Sequence, residues 1–297
     1  MSLLTRANTF LLERLLRHVP GRRQVERLTL DARNSQVEQR RLYFAWREAL
    51  AAGRALPAPG EAAFRAWSQT DEDGILLLIF AAIGFTNRVC VDLGSARPEG
   101  SNTANLIFNW GFWGLLVDGD PAHAEAARQL FREHPDTWLY PPRVAQAWIT
   151  RENVNELLTS HGMGGEIDLL SVDLDGVDWW ICKEIRAVQP RAIVVEIQDI
   201  WGTEEAVTVP YAPDFRHGAD YDHCGASLLA WVKMLGERGY RLVATNRLGY
   251  NAFFVRHDLA PGALPELAPA ACLQHHRNRT EGPARLARAR ERAWERV

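Results

Sequence analysis

The sequence predicts an α/β fold on a seven-stranded, mostly parallel sheet whose last strand turns back. Three observations point there. From about residue 61, short apolar runs alternate with amphipathic stretches of helical period. Several runs, such as "IDLLSVDL" and "RAIVVEI", are apolar almost without interruption, which suits strands covered by helices on both faces. The last two runs, in "YRLVATNRLGYNAFFVRHD", are separated only by "NRLGY". That spacing is too short for a crossover helix, so the two strands must pair antiparallel as a hairpin.

Residues 1–60 are expected to form an N-terminal helical extension, rich in Leu, Arg, Glu and Ala at helical spacing. Its first stretch, "MSLLTRANTFLLERLLRHVPGRR", is interrupted by Arg6, Glu13, Arg14 and Arg17. It therefore reads as an amphipathic helix, packed on its own domain or a dimer mate, and not as a signal peptide; membrane-surface contact is the alternative. "ALPAPGEAAF", with Pro57, Pro59 and Gly60, is a linker. The main domain spans 61–262. Its strands are expected at Arg88–Gly94, Gly114–Asp120, Thr137–Val144, Ile167–Asp173, Ala192–Ile197, Tyr240–Thr245 and Asn251–His257. The helices between them are expected at Asn102–Trp110, Pro121–His134, Glu152–His161, Asp178–Val188 and Ala226–Arg238. Residues 263–297 form a helical tail ending in the basic amphipathic "EGPARLARARERAWERV", and the terminal helices are candidate homo-oligomer contacts.

The 297 residues are 47% hydrophobic and 24% charged, with a formal net charge of -3. This is the composition of a soluble globular chain with enough length for a full core. The near-neutral balance gives no electrostatic case for nucleic acid. Cys90, Cys182, Cys224 and Cys272 show no CxxC spacing and read as reduced packing residues. No segment reaches the roughly 18 unbroken apolar residues of a membrane helix, and the cytosol is the expected compartment.

A plain dinucleotide-binding sheet has no need of a reversed last strand; the Rossmann-like, seven-stranded class I methyltransferase sheet is built that way. In such sheets ligands sit beyond the carboxyl ends of the strands. After the first strand, "VCVDLGSARPEGSNTANL" offers Asp92, Gly94 and Ser95, then Asn102 and Thr103 at a helix start. Glycine lets backbone approach a ligand closely, and helix N–H groups favour an anion. Ala96 and Glu99 stand where a dinucleotide fingerprint requires glycine. Asp118 follows Gly94 by about 24 residues, a spacing suited to a ribose-binding acid. Asp120 suits a helix cap instead. Gln146 and Trp148 follow the third strand and could meet an adenine ring by hydrogen bonding and stacking. After the fourth come Asp173, Asp175 and Asp178, the last read as a helix start. Two acids directly after a buried strand are costly unless hydrogen-bonded, paired or functional.

"SQTDEDGILLLIF", "VDLGSARPEGSNTANL", "GFWGLLVDGD", "IDLLSVDLDGVDWW", "WGTEEAVTVPY" and "NAFFVRHDL" together resemble the FkbM-type branch of S-adenosylmethionine-dependent methyltransferases, over roughly Ser68 to Leu259. The resemblance implies S-adenosylmethionine as cofactor and O-methylation of a sugar, glycan or natural product. It also implies that Asp92, Gly94 and Ser95 line the methionine part, Asp118 the ribose, and Gln146 and Ala147 the adenine. Asp173 would face the reacting centre, and the segment with Gln69 would lie over the cofactor.

Methyl transfer from a sulfonium is an in-line displacement, so the protein must align the acceptor and manage one proton. Candidate bases are Asp173 and Asp175, with His217 and His223 from "FRHGADYDHCG" after the fifth strand. Alternatively, Asp173, Asp175 and Glu196 could hold magnesium, which favours oxygen ligands. Trp179, Trp180, Trp201, Tyr211 and Tyr221 suit a sugar face, an aromatic ring or a core equally. Two other readings compete. One is a nicotinamide-dependent enzyme of sugar or natural-product metabolism. The other is a methyltransferase-fold scaffold without catalysis.

Overall fold

A computed structural model describes residues 22–94, 97–219 and 221–297, with side chains from residue 35 onward. The chain divides into two compact units, 1–45 and 46–297. Helix α1 (Arg22–Ala51) runs across that division; the second unit contains the sheet. No helix among the described residues is long and apolar enough to cross a membrane.

Two helices, α2 (Pro59–Ala62) and α3 (Glu72–Ile83), precede the sheet. The strands follow as β1 (Val89–Leu93), β2 (Trp113–Asp118), β3 (Arg143–Gln146), β4 (Gly165–Val172) and β5 (Val188–Glu196). A short β6 (Val207–Thr208) comes next, then β7 (Tyr240–Thr245) and β8 (Asn251–Arg256). The helices between them are α4 (Ala104–Trp110), α5 (Pro121–Glu133), α6 (Val154–Ser160), α7 (Asp178–Glu184) and α8 (Leu228–Glu237). Seven strands form one sheet in the order β3-β2-β1-β4-β5-β8-β7. β1 to β5 are mutually parallel, and β8 runs antiparallel to both β5 and β7. The hairpin that the sequence requires therefore closes the sheet.

The near-continuous apolar runs are central strands. Val91, Leu115, Val172 and Val195 are fully buried, as are Phe80 on α3, Phe131 on α5 and Trp231 on α8, which cover the sheet. Each such side chain contributes roughly 1.5–3 kcal/mol by leaving water. At the opposite end from the candidate site, Arg191 donates to Asp168 at 2.8 Å and to the Gly84 and Ile83 carbonyls at 2.7 Å each. Asp168 also accepts the N–H groups of Thr86, Asn87 and Arg88, which fixes the approach of the chain to β1.

The structure differs from the sequence expectation in several places, among them a fifth strand that opens at Val188 and not Ala192. The third strand, expected over Thr137–Val144, begins only at Arg143. Thr137, Trp138 and Tyr140 form turns on the end of α5, with the Thr137 hydroxyl donating to Phe131 O at 2.7 Å. Pro141 and Pro142 then lack the N–H groups a ladder needs. Helix α7 stops at Glu184, short of Val188, because Ile185 is already extended and Val188 opens β5. The last basic segment is not one helix: α9 (His276–Thr280) and α10 (Gly282–Ala289) are followed by strand β9 (Glu295–Arg296), which pairs antiparallel with β6. Trp294 anchors that turn, edge-on to Trp201 at 5.0 Å and donating from Nε1 to Ala289 O at 2.9 Å.

Candidate functional site

A crevice of about 530 Å³ opens at the carboxyl ends of the parallel strands, lined from β1 by Gly94, from β2 by Asp118 to Pro121, and from the exit of β3 by Ala147 to Ile149. Leu174 to Val177 line it after β4, and Pro213, Phe215, Arg216 and His217 close its far wall. This is the position that an open α/β sheet reserves for ligands, and the volume is that of a small-molecule site.

Asp118 ends β2 almost wholly buried. Its Oδ1 accepts the Asp120 N–H at 2.8 Å, and its Oδ2 lies 3.4 Å from His123 Nδ1. Asp120 caps α5, accepting from Ala122 N at 2.7 Å and His123 N at 3.3 Å, and these N–H groups hold its carboxyl below the usual range. Both acids of "DGD" line the crevice, and Asp120 also caps the helix. Gln146 does not line the crevice, although its Nε2 donates at 3.2 Å to O of Gly119, which does; Ala147 lines it. Trp148 is held by three contacts. A Cβ at Gly119 would lie 2.9 Å from its ring, its indole N–H donates to Pro213 O at 2.6 Å, and the Arg216 guanidinium stands 3.8 Å above the ring.

The loop after β1 is built inward. Asp92 is fully buried, and its Oδ2 accepts from Ser101 Oγ at 2.7 Å and Thr103 Oγ1 at 2.8 Å. Burial raises its carboxyl to about 6 against those hydrogen bonds. Asn102 is buried too, with Nδ2 reaching Ser171 Oγ at 3.3 Å. Asp92, Asn102 and Thr103 therefore act as the internal frame of the loop, and none of the three lines the crevice. Gly94, with φ at +106°, comes so close to Asp173 that a Cβ would overlap its carbonyl oxygen. The close approach for which glycine is needed is strand to strand, because β1 and β4 meet there. Ser95 lies outside the described residues. Gln69 is exposed, on a segment tied to the β1 loop by the Ser68–Gly100 bridge, and it does not line the crevice.

Beside the crevice, Asp173, Asp175 and Glu196 are half-buried, and each offers one oxygen within 4.8 Å of the others. Burial and the neighbouring acids push Asp173 and Glu196 well above the usual carboxylate range. Burial also raises Asp175, while the nearby His217 pulls it back. Asp178 supports the turn from beneath, accepting from Leu174 N at 2.6 Å and Gly176 N at 2.8 Å. Its role as a helix start holds. The turn bends sharply at Asp175, whose φ is +53°.

The two histidines separate. His217 lines the crevice, stacks on Tyr221 at 4.2 Å, and has Nδ1 2.9 Å from Gly218 O. A carbonyl oxygen can only accept, so Nδ1 is the donor in that bond. His223 lies outside the crevice: its Nε2 bonds Ala293 O at 2.8 Å and its ring meets Trp294 edge-on at 5.2 Å. The structure thus places His223 against the tail and not on the crevice wall.

Several neighbours escape sequence reasoning. The buried Glu72 on α3 accepts from Thr70 Oγ1 at 2.6 Å, Asn246 Nδ2 at 2.7 Å and Asn251 Nδ2 at 3.2 Å. Asn251 stands directly opposite Glu196 in the β5–β8 register. On the far side, Asp199 is bonded by Arg277 at 2.9 Å, Asn278 at 2.7 Å and Arg285 at 3.1 Å. Asp222 is bonded by Arg285 at 2.7 Å and Arg288 at 2.6 Å. No motif announces these groups, since each joins segments far apart in the chain.

Strand order, reversed last strand and crevice position together define a Rossmann-like fold of the class I methyltransferase type. Among solved structures, the chain is similar to the magnesium protoporphyrin IX methyltransferase ChlM from Synechocystis PCC 6803 with bound SAM. The identity is 13% and the TM-score 0.37, over 62% of this chain and 77% of that one. It is also similar to the glycopeptide N-methyltransferase MtfA complexed with S-adenosyl-L-homocysteine, at 11% and 0.40 over 66% and 94%. A third is the O-methyltransferase from Bacillus cereus in complex with SAH, at 12% and 0.37 over 72% and 88%. No family model and no curated protein matches the sequence.

Proposed function

We propose that the chain is an S-adenosylmethionine-dependent O-methyltransferase acting on a hydroxyl of a sugar, glycan or natural product. The observation that carries this reading is the single crevice that gathers Gly94, Asp118, Ala147, Asp175 and His217. The residues fit the cofactor: a nearly buried carboxylate at the end of β2 suits two ribose hydroxyls, and the Ala147–Trp148 wall suits a flat purine. The FkbM-type resemblance supports the acceptor class. Bound cofactor supplies a methyl group activated on a sulfonium.

The chain's own residues bind, orient and move one proton. Asp118 fixes the ribose by hydrogen bonds. With Nδ1 donating to Gly218 O, His217 is placed to accept the acceptor's hydroxyl proton at Nε2, and Asp175 beside it offsets the charge that results. The Pro213–His217 segment walls one side of the crevice.

Calorimetric titration of S-adenosylhomocysteine and of NAD tests the proposal. S-adenosylhomocysteine should bind, NAD should not, and Asp118→Ala should weaken binding by roughly tenfold or more with an unchanged melting temperature. Binding of NAD alone, or of neither, would overturn it.

A further inference from the structure

We infer that Trp138, Leu139 and Tyr140 form a docking tip for the headgroup layer of a lipid bilayer. The three follow one another in the chain and are 59%, 77% and 75% exposed. They are displayed on a braced turn. Trp138 N donates to His134 O and Tyr140 N to Thr137 O, at 2.9 Å each, and the Thr137 hydroxyl donates to Phe131 O. Trp113, at the start of β2, supports the turn from behind: its Nε1 donates to Pro141 O at 3.1 Å, and its ring lies 6.1 Å from that of Tyr140. Backbone already ordered adds little entropic cost when the tip docks.

The side chains fit this partner. Trp and Tyr settle at a membrane–water boundary because each joins an apolar body to one polar end. Here the Trp138 indole N–H and the Tyr140 hydroxyl make no hydrogen bond among the described residues. Leu139 between them is wholly apolar and the most exposed of the three. The charges beside the turn balance, Arg132 and Arg143 against Glu133 and Asp136, so apolar contact and not lipid charge has to supply the attraction. A second copy of the chain fits less well. At roughly 200 Å² per side chain, those exposures leave roughly 400 Å² open, about half of what each partner gives to a stable protein interface. The neighbouring sheet edge adds little ladder: β3 ends at Gln146 after only four residues, and its Val144 carbonyl already accepts from Arg128 Nε at 3.1 Å.

The turn stands at the amino ends of β2 and β3, and the crevice opens at the carboxyl ends of the same strands. A chain docked by this tip therefore holds the crevice toward water. That its acceptor then arrives from solution and not out of the bilayer rests on the methyl-transfer reading; the docking does not.

The test uses the whole chain and vesicles of phosphatidylcholine. The protein should float with them, half bound at roughly 0.1–1 mM lipid. Replacing about a fifth of the lipid by phosphatidylserine should move that point by less than about threefold. The double variant Trp138→Ala, Tyr140→Ser, shown to be folded by circular dichroism, should bind roughly tenfold more weakly or worse. Depth and orientation are read with an environment-sensitive dye on Leu139→Cys. The native Cys90, Cys182, Cys224 and Cys272 are buried, so the dye reacts at the tip. Its emission should shift to the blue on vesicles, and the same dye on Asp214→Cys, beside the crevice, should not respond. No flotation at about 5 mM lipid would overturn the inference. Flotation that the double variant leaves intact would also do so, assigning the binding to another segment. Lipid-free dimerisation that the double variant abolishes would overturn it in favour of a second copy. Binding of S-adenosylhomocysteine should be the same in the double variant and the wild type, so the methyl-transfer reading stands or falls separately.

Discussion

Asp92 is fully buried at the end of β1, with one oxygen held by Ser101 and Thr103 and the other without a partner among the described residues. Burial raises its carboxyl from the ordinary 3.8 to about 6. The folded state therefore holds a proton that the unfolded chain releases earlier. The stabilisation is complete below about pH 4 and is lost as pH rises through about 6. The difference is on the order of 3 kcal/mol. Urea titrations of wild type and Asp92→Asn should diverge by up to that amount between pH 4 and pH 7; parallel curves would mean that the carboxyl titrates normally. At this scale the sequence revealed residue types and their places on strand ends, but not which way side chains turn. Asp118 and His217 line the crevice, whereas Asp92, Gln146 and His223 do not: Asp92 holds Ser101 and Thr103, Gln146 reaches Gly119 O and His223 reaches Ala293 O. The sequence cannot separate such pairs, because a loop has no period from which to read a face.

The tail elements α9, α10 and β9 form a clamp over the segments after β5. Arg285 bridges Asp199 and Asp222, which are 6% and 1% exposed. Removing its guanidinium takes one charged partner from each of two buried carboxylates, which keep only Arg277, Asn278 and Arg288, a loss larger than an exposed salt bridge supplies. Arg285→Ala should cost about 3 kcal/mol in chemical denaturation. Arg285→Lys should recover only part, since an ammonium cannot span two acids as a planar fork does. A change within about 0.5 kcal/mol would show that the clamp adds nothing. Helix α5 was legible in full, with Asp120 as cap and Pro121 as first residue. The clamp was not, because its basic stripe also reads as a solvated helix face until Asp199 and Asp222 are seen beneath it.

The division at residues 45 and 46 predicts that 46–297 is an autonomous folding unit. A chain starting at Trp46 should unfold in one cooperative transition within a few degrees of the full-length midpoint. A molten, dye-binding product would show that the first unit is required. The sheet was the most legible feature, since buried strands leave unbroken apolar runs and a five-residue link forces a hairpin. The acidic centre was legible only as three carboxylates on two strand ends; their convergence depends on the packing of β4 beside β5. Asn251 comes to stand opposite Glu196 only when β8 pairs with β5, across a gap of more than fifty positions. The wall of the pocket is therefore complete only once the sheet is fully paired. A chain stalled before that docking holds the acids with no neighbouring amide, and so carries the charge without the means to use it.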